Sequence, residues 1–341
     1  MKRFIRLAIA AGAVVSALAF SGSALAAYAP SLSVTSQRNA PGKPTAILLG
    51  HVQTAADDAT AKDTIYAPLG YGVNLSQAAG TKIGDVSARL ILRGGGNAEV
   101  DVEGQVIADS PANYPPATNQ CTPGQSHQAV WKLNITVAGT PLTVPIYVDP
   151  VTAGPEATFA SAKIQLCLAG PIGTPAGAQL LFAFFDVNGV FTNPTNTTDR
   201  VWHALFTPYV AGSPNPNPAG TTEGQALVPG RVSLTVKSKS LKKGRVTISG
   251  KLLIDGRPYR GAVIELYIGN KRVGTAKTNA SGSYTFRKKI RKKTRFGVQV
   301  LELADLALPC PAPGLPGVPQ GCRSASISFF TFNIVTAKRR R

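Results

Sequence analysis

The chain has 341 residues, 44% of them hydrophobic and 16% charged, and 36 Lys and Arg against 17 Asp and Glu give a formal net charge of +19. That charge is not shared evenly, because residues 229–341 hold 24 Lys and Arg against 4 acids while residues 27–228 hold 9 against 13. Such a split excludes a uniformly basic chain, marks a boundary between two domains, and directs the search for an anionic partner to the last third without naming it.

Met1–Arg6 is short and basic, Leu7–Phe20 is apolar apart from Gly12 and Ser16, and Ala24-Leu25-Ala26 supplies small residues for a signal peptidase. These features predict a secretory leader over residues 1–26, removed after Ala26. Its apolar core of about 14 residues is shorter than the roughly 20 needed to span a bilayer. No Cys follows for lipid attachment, no LPxTG-type motif occurs, and no later apolar run is long enough to cross a membrane. The reading is a secreted protein, extracellular or loosely associated with the cell wall, with no transmembrane segment after cleavage.

Beyond the leader, alternating runs of five to ten residues recur between Gly, Pro, Asn and Asp clusters, and no long 3.6-residue period appears. This predicts an all-β protein. An N-terminal β-sandwich-like domain is expected over 27–210. Its strands are read at Pro44–Val52, Asp63–Asn74, Ser87–Val106 (a hairpin), Gln128–Val137, Leu142–Val148, Ser161–Ala169, Ala178–Val187 and Arg200–Val210. In the hairpin, Arg89, Ile91 and Arg93 share one face, and after Gly94–Asn97 so do Glu99, Asp101 and Glu103. Pairing Arg93 with Glu99, Arg89 with Glu103 and Leu92 with Val100 satisfies both faces, so the carboxylates read as a salt-bridge ladder rather than a cation or catalytic site. Trp131 and Trp202 lie on apolar strand faces and read as core. Asp186–Gly189 (DVNG) starts like a calcium loop, but the later ligands do not follow, and it reads as a hairpin turn.

The mature chain has four cysteines, Cys121, Cys167, Cys310 and Cys322, an even number that favours two disulfides in an oxidising compartment. Three connectivities are open, and proximity favours Cys121–Cys167 and Cys310–Cys322. No C-x-x-C pair occurs and the three His are dispersed, so neither a metal nor another cofactor is expected.

Residues 211–230 (AGSPNPNPAGTTEGQALVPG) are polar and turn-rich and read as a linker. A smaller basic β-sandwich of Ig-like or transthyretin-like type is expected over 231–337, followed by a basic tail at 338–341. Val246–Ile254 alternates as a strand, Asp255–Pro258 turns, Val263–Ile268 alternates again, Gly269-Asn270 turns into Arg272–Lys277, and Asn279–Gly282 turns into Ser283–Phe286. With VTISGKL, the G-x-P-x-x-G-A step at Gly256–Ala262 and TNASGSYTF at Thr278–Phe286, this segment resembles the carboxypeptidase regulatory-like family. The resemblance covers about 70 residues and implies a spacer, stabilising or weak interaction module, with no catalytic residues to transfer. The chain departs from that pattern after Val300, where a Pro/Gly loop between two cysteines precedes a last strand at Ser326–Val335.

The densest charge is Arg287, Lys288, Lys289, Arg291, Lys292, Lys293 and Arg295, flanked by Phe286 and Phe296. Lys237, Lys239, Lys242, Lys243 and Arg245 form a second cluster and Lys338–Arg341 a third. These residues are the candidate contacts to anionic cell-envelope polymers. Nucleic acid is not expected as the intended target, because aromatic residues are not interleaved through the run. No G-x-S-x-G, H-E-x-x-H, Walker-type loop or G-x-G-x-x-G occurs, and no catalytic residue is nominated. The expected function is that of an exported, non-catalytic structural or interaction protein. The alternatives are a carbohydrate- or peptide-binding module in the N-terminal domain, or a secreted hydrolase.

Overall fold

Short apolar alternations punctuated by Gly, Pro and Asn bury one face of an extended chain, and every long element of the described residues is a strand, with helical structure limited to single 3-10 turns. The computed structural model describes residues 28–93, 96–137, 139–170, 178–306 and 310–339. The expected leader at 1–26 and the last two residues of the basic tail lie outside these. The all-β expectation holds.

The first part comprises β1 (Ser31–Ser36), β2 (Pro44–Val52), β3 (Thr60–Pro68), β4 (Gly72–Val73), β5 (Lys82–Leu92), β6 (Ala98–Asp109), β7 (Ala129–Val137), β8 (Thr140–Pro150), β9 (Ala160–Cys167), β10 (Ala178–Thr192), β11 (Arg200–Pro208) and β12 (Thr222–Val228). They pair in the order β1-β2-β10-β5-β6-β7-β8-β9-β3-β11-β12 as one continuous sheet. Its opposite walls face each other as two layers around one core, to which most strands contribute apolar residues from one face. Trp131 and Trp202 are fully buried there, as expected. Trp202 of β11 meets Phe191 of β10 at 5.6 Å and Tyr71 at 5.2 Å between ring centroids, joining the walls edge to face.

The second part comprises β13 (Val232–Leu234), β14 (Lys237–Ser240), β15 (Arg245–Ile254), β16 (Arg257–Pro258), β17 (Val263–Ile268), β18 (Lys271–Lys277), β19 (Ser283–Lys289), β20 (Thr294–Leu306) and β21 (Cys322–Ala337). One layer is β15 flanked by β13 and β14 on one side and β19 on the other; the second runs β21-β20-β17-β18. Ile248, Leu252, Tyr284 and Phe286 from the first layer pack on Ile264, Phe296, Val298 and Phe329 from the second. The turns at Asp255-Gly256, Gly269-Asn270 and Asn279–Gly282 fall where the sequence places them.

Three expectations are corrected. The linker read at 211–230 is not wholly a linker: Thr222–Val228 is β12, buried along nearly its whole length. It pairs antiparallel with β11 and parallel with β21. Its polar residues misled the reading, because Thr222, Glu223 and Gln225 are buried under another segment rather than facing water. The Ser87–Val106 hairpin forms, but slipped by two residues: Arg89 lies opposite Asp101 and Leu90 opposite Val100. A two-residue slip keeps every side chain on its face. Arg93 is released from the ladder and instead reaches Asn97, the Ala55 carbonyl and Gln179. Asp186–Gly189 is not a hairpin turn but a bulge within the 15-residue β10, where pairing to β2 shifts between Val187 and Phe191.

Both favoured disulfides are present, Cys121–Cys167 and Cys310–Cys322. The loop closed by the second is docked on β12. Ala312 N–H donates to Gln225 Oε1 at 2.9 Å, Leu315 N–H to Glu223 Oε2 at 2.7 Å, and Glu223 N–H to the Gly321 carbonyl at 2.9 Å.

Candidate functional site

Strand pairing turns sequence clusters into one surface. In β15, Val246, Ile248 and Leu252 point into the core, so Arg245, Thr247, Ser249 and Lys251 point out. The register sets Lys239–Thr247–Arg287 in one row across β14, β15 and β19, and Lys237–Ser249–Thr285 in the next. Arg245 faces Lys289, and Lys251 faces Ser283. Side chains directly opposite share a face. The outer face of this layer therefore carries Lys237, Lys239, Arg245, Lys251, Arg287 and Lys289, all exposed, with hydroxyls between them and no carboxylate. With strands about 4.8 Å apart, cations on alternate strands stand about 10 Å apart.

The third cluster joins this face at its edge. Ser238 Oγ donates to the Thr336 carbonyl at 3.0 Å and Ser240 Oγ to the Lys338 carbonyl at 2.6 Å, which lays the chain end holding Lys338 and Arg339 beside β14. Lys242 and Lys243 occupy the turn between β14 and β15, with Lys243 in the left-handed region at φ 59°.

The seven nominated basic residues do not act from one place. Arg287 and Lys289 stand on the face just described. Arg291, Lys292 and Lys293 form the exposed connection to β20. Lys288 points the other way, half-buried, and its Nζ donates to the Val273 carbonyl on β18. Arg295 begins β20, in the opposite layer. Sequence proximity overstated the unity of this run and missed that Lys237, Lys239, Arg245 and Lys251 complete it. The available signal was the period-two spacing of Lys237, Lys239 and Arg245, Thr247, Ser249, Lys251.

Other chemistry-bearing groups prove structural. Each histidine is held through Nδ1 by a carboxylate distant in sequence: His51 by Asp63 at 2.9 Å, His127 by Asp149 at 2.7 Å and His203 by Glu223 at 2.7 Å. Thr122 Oγ1 lies 2.7 Å from His127 Nε2, so Thr122, His127 and Asp149 are connected in the order of a nucleophile, base and acid. However, Thr122 is 1% exposed, its hydroxyl accepts a 2.6 Å bond from Asn119 Nδ2, and it follows the disulfide-bonded Cys121. A substrate has no approach to that oxygen, and the group serves to clamp the 119–127 loop to β8.

His51 sits in the N-terminal core, where burial alone would lower its pKa. The charge of Asp63 and the hydrogen bonds that His51 donates to Asp63 and Gln53 outweigh that, and the net shift is upward from 6.5. Glu223 is fully buried, which alone would raise it. Hydrogen bonds from His203, the Leu315 N–H and Gln225 outweigh burial and hold it below its ordinary 4.5. Of the expected salt-bridge ladder one rung forms: Arg89 grips Asp101 through Nε at 2.7 Å and Nη2 at 3.1 Å, with Glu99 at 3.9 Å, while Glu103 lies opposite Ser87. Among the described residues no group of three or more His, Cys, Asp or Glu is placed to hold a metal ion.

No family model matches the chain, and no curated protein matches it. Among solved structures, the D0-D1 domain of Intimin aligns over 89% of this chain and 100% of that chain, at 10% identity and a TM-score of 0.19. At that score the likeness carries no argument. No helix among the described residues is long and apolar enough to cross a membrane.

Proposed function

We propose that this chain is an exported, non-catalytic surface protein whose C-terminal β-sandwich holds it to anionic envelope polymers through the outer face of β14, β15 and β19. The observation that carries the reading is the convergence of six exposed cations from three strands onto one hydroxyl-rich sheet face without a carboxylate. A flat array of this kind suits a repeating polyanion, since each cation meets charge without requiring a fitted cleft. Its attraction reaches about 8 Å at physiological ionic strength and is screened by added salt. Two disulfides agree with an oxidising compartment. The tight turns at Asp255-Gly256, Gly269-Asn270 and Asn279–Gly282 support placing the C-terminal part with carboxypeptidase regulatory-like modules, which serve as spacers, stabilising or weak interaction modules, although the strands between those turns cross from the β15–β19 layer to β17–β18 and back rather than running on as a meander.

The test is retention on polyphosphate-coated resin along a salt gradient. The wild type is expected to elute at a salt concentration that the double variant Lys239→Glu/Arg287→Glu lowers markedly, because both changes fall in the central row. A triple Arg291→Glu/Lys292→Glu/Lys293→Glu variant reports the contribution of the connection alone. Elution that is independent of salt, or equal for wild type and the central-row variant, refutes the reading.

A further inference from the structure

The opposite layer of the C-terminal sandwich turns a different chemistry outward. Across β17, β20 and β21 the register places Glu265–Gln299–Phe332 in one row and Tyr267–Gly297–Ile334 in the next. Phe332 is 50% exposed and Ile334 37%, an apolar surface that water leaves uncovered only at a cost. Gly297 makes the floor flat. A Cβ there would stand 3.2 Å from Phe332 Cε2 and 3.7 Å from Tyr267 Cβ, so the phenyl ring lies over bare backbone. The buried Glu265 carboxylate anchors the platform, accepting from Arg272 Nη1 at 2.6 Å, Tyr267 OH at 2.8 Å and Gln299 Nε2 at 3.1 Å.

The 37–41 segment after β1, together with Thr197 and Arg231, forms a second wall, and the two enclose a groove of about 1410 Å³. That exceeds the roughly 300–1,000 Å³ of ordinary small-molecule pockets and suits an oligomer. Arg38, Arg231, Arg272 and Arg295 line it, Arg272 already paired with Glu265 and the other three presented to the groove. Four side-chain amides, from Gln37, Asn39, Asn270 and Gln299, complete the polar lining. Both amide atoms of Asn39 are buried with no partner among the described residues, leaving hydrogen bonds that a ligand would satisfy.

We propose that this groove binds an acidic oligosaccharide of uronic-acid type. Guanidinium groups pair with carboxylates in bidentate fashion, the sugar ring faces rest on Phe332 and Tyr267, and the amides meet hydroxyls. A peptide is disfavoured at the platform itself, because over Gly297–Gln299, beneath Phe332 and Tyr267, β20 is hydrogen-bonded to both β17 and β21 and offers no strand edge for augmentation. The site lies on the layer opposite the basic face and does not rest on the polymer-retention reading.

Calorimetric titration of the mature chain with a tetramer of galacturonic acid, against its neutral galactose counterpart, tests the proposal. The acidic tetramer is expected to bind saturably at one per chain, at least tenfold more tightly than the neutral one. Phe332→Ala and Arg231→Gln should each weaken it tenfold or more, while Lys239→Glu/Arg287→Glu leaves it unchanged. Both groove residues are exposed, so these variants should melt with the wild type; Arg38→Gln replaces any that does not. Absence of saturable binding, or wild-type affinity in the groove variants, overturns the proposal. So does tighter binding of an oligoglutamate or an oligothymidylate with the same sensitivity to variants, which reassigns the groove to an acidic peptide or a single-stranded nucleic acid. A dimer in sedimentation that Phe332→Ala dissociates makes a second copy of the chain the occupant instead.

Discussion

Glu223 is the residue on which most depends. Its carboxylate, fully buried, takes hydrogen bonds from His203, Gln225 and the Leu315 N–H, so it ties β11 and β12 to the disulfide-closed loop. A carboxyl whose folded pKa is held below 4.5 adds stability that is fully present above that value and is lost as pH falls through the lower, folded value. Thermal melting followed from pH 7 down to pH 3 should show an acid limb below about pH 4.5. Glu223→Gln should flatten that limb while costing about 1.5–3 kcal/mol at neutral pH, the scale of a hydrogen bond to a charged group. His51 carries the opposite sign. Its folded pKa is raised above 6.5, so its contribution is complete below that value and is lost as pH rises through the folded one. A His51→Gln variant should therefore differ most from the wild type on the acidic side of neutrality and converge with it in alkali, read by the same melts. Neither pair was legible in the sequence, because His51 and Asp63 are 12 residues apart and His203 and Glu223 are 20 apart. Only the folding of the sheet makes them neighbours.

At the scale of elements, features set by local sequence are legible and features set by distant partners are not. Pro44–Val52 forms as expected because its alternation and flanking turns are local features. The Ser87–Val106 hairpin is legible as a hairpin, but charge pairing alone is satisfied by two alignments two residues apart, and the one that forms sets Arg89 against Asp101. β12 was hidden because its buried face is polar and is covered by the 310–322 loop rather than by aliphatic neighbours. The basic face was half legible: period-two spacing marks Lys237 and Lys239, but only pairing with β15 brings them to Arg287. The 310–322 loop yields a prediction of its own. Its disulfide closes about a dozen residues and adds about 3 kcal/mol in the chain-entropy model. Because Glu223 and Gln225 also hold the loop, Cys310→Ala/Cys322→Ala should lose no more than that, and the protein should still fold. Limited proteolysis should then cut between residues 311 and 321, where the Pro- and Gly-rich chain has no strand to protect it.

At the scale of the molecule, the two halves have separate cores but share β21. Residues Ala325–Ile327 of that strand pair with β12 on one side and with β20 on the other. β1 adds side-chain bonds to the same strand, Ser33 Oγ to Ser328 Oγ at 2.9 Å and Ser324 Oγ to the Pro30 carbonyl at 2.6 Å. Unfolding the C-terminal half would therefore strip the edge of β12 and take the Leu315 N–H away from the Glu223 carboxylate. The loss of that bond alone is worth about 1.5–3 kcal/mol. For a body of about 200 residues each kcal/mol moves the melting temperature by about 2–4 °C. A chain ending at Gly230 should thus melt at least about 3 °C below the whole protein and, with β12 exposed as a free strand edge, associate as its concentration rises. The full chain should unfold in a single calorimetric transition whose van't Hoff and calorimetric enthalpies agree. Two resolved transitions, with the truncated chain reproducing the first of them unshifted, would show that β21 bridges two independent units without coupling them.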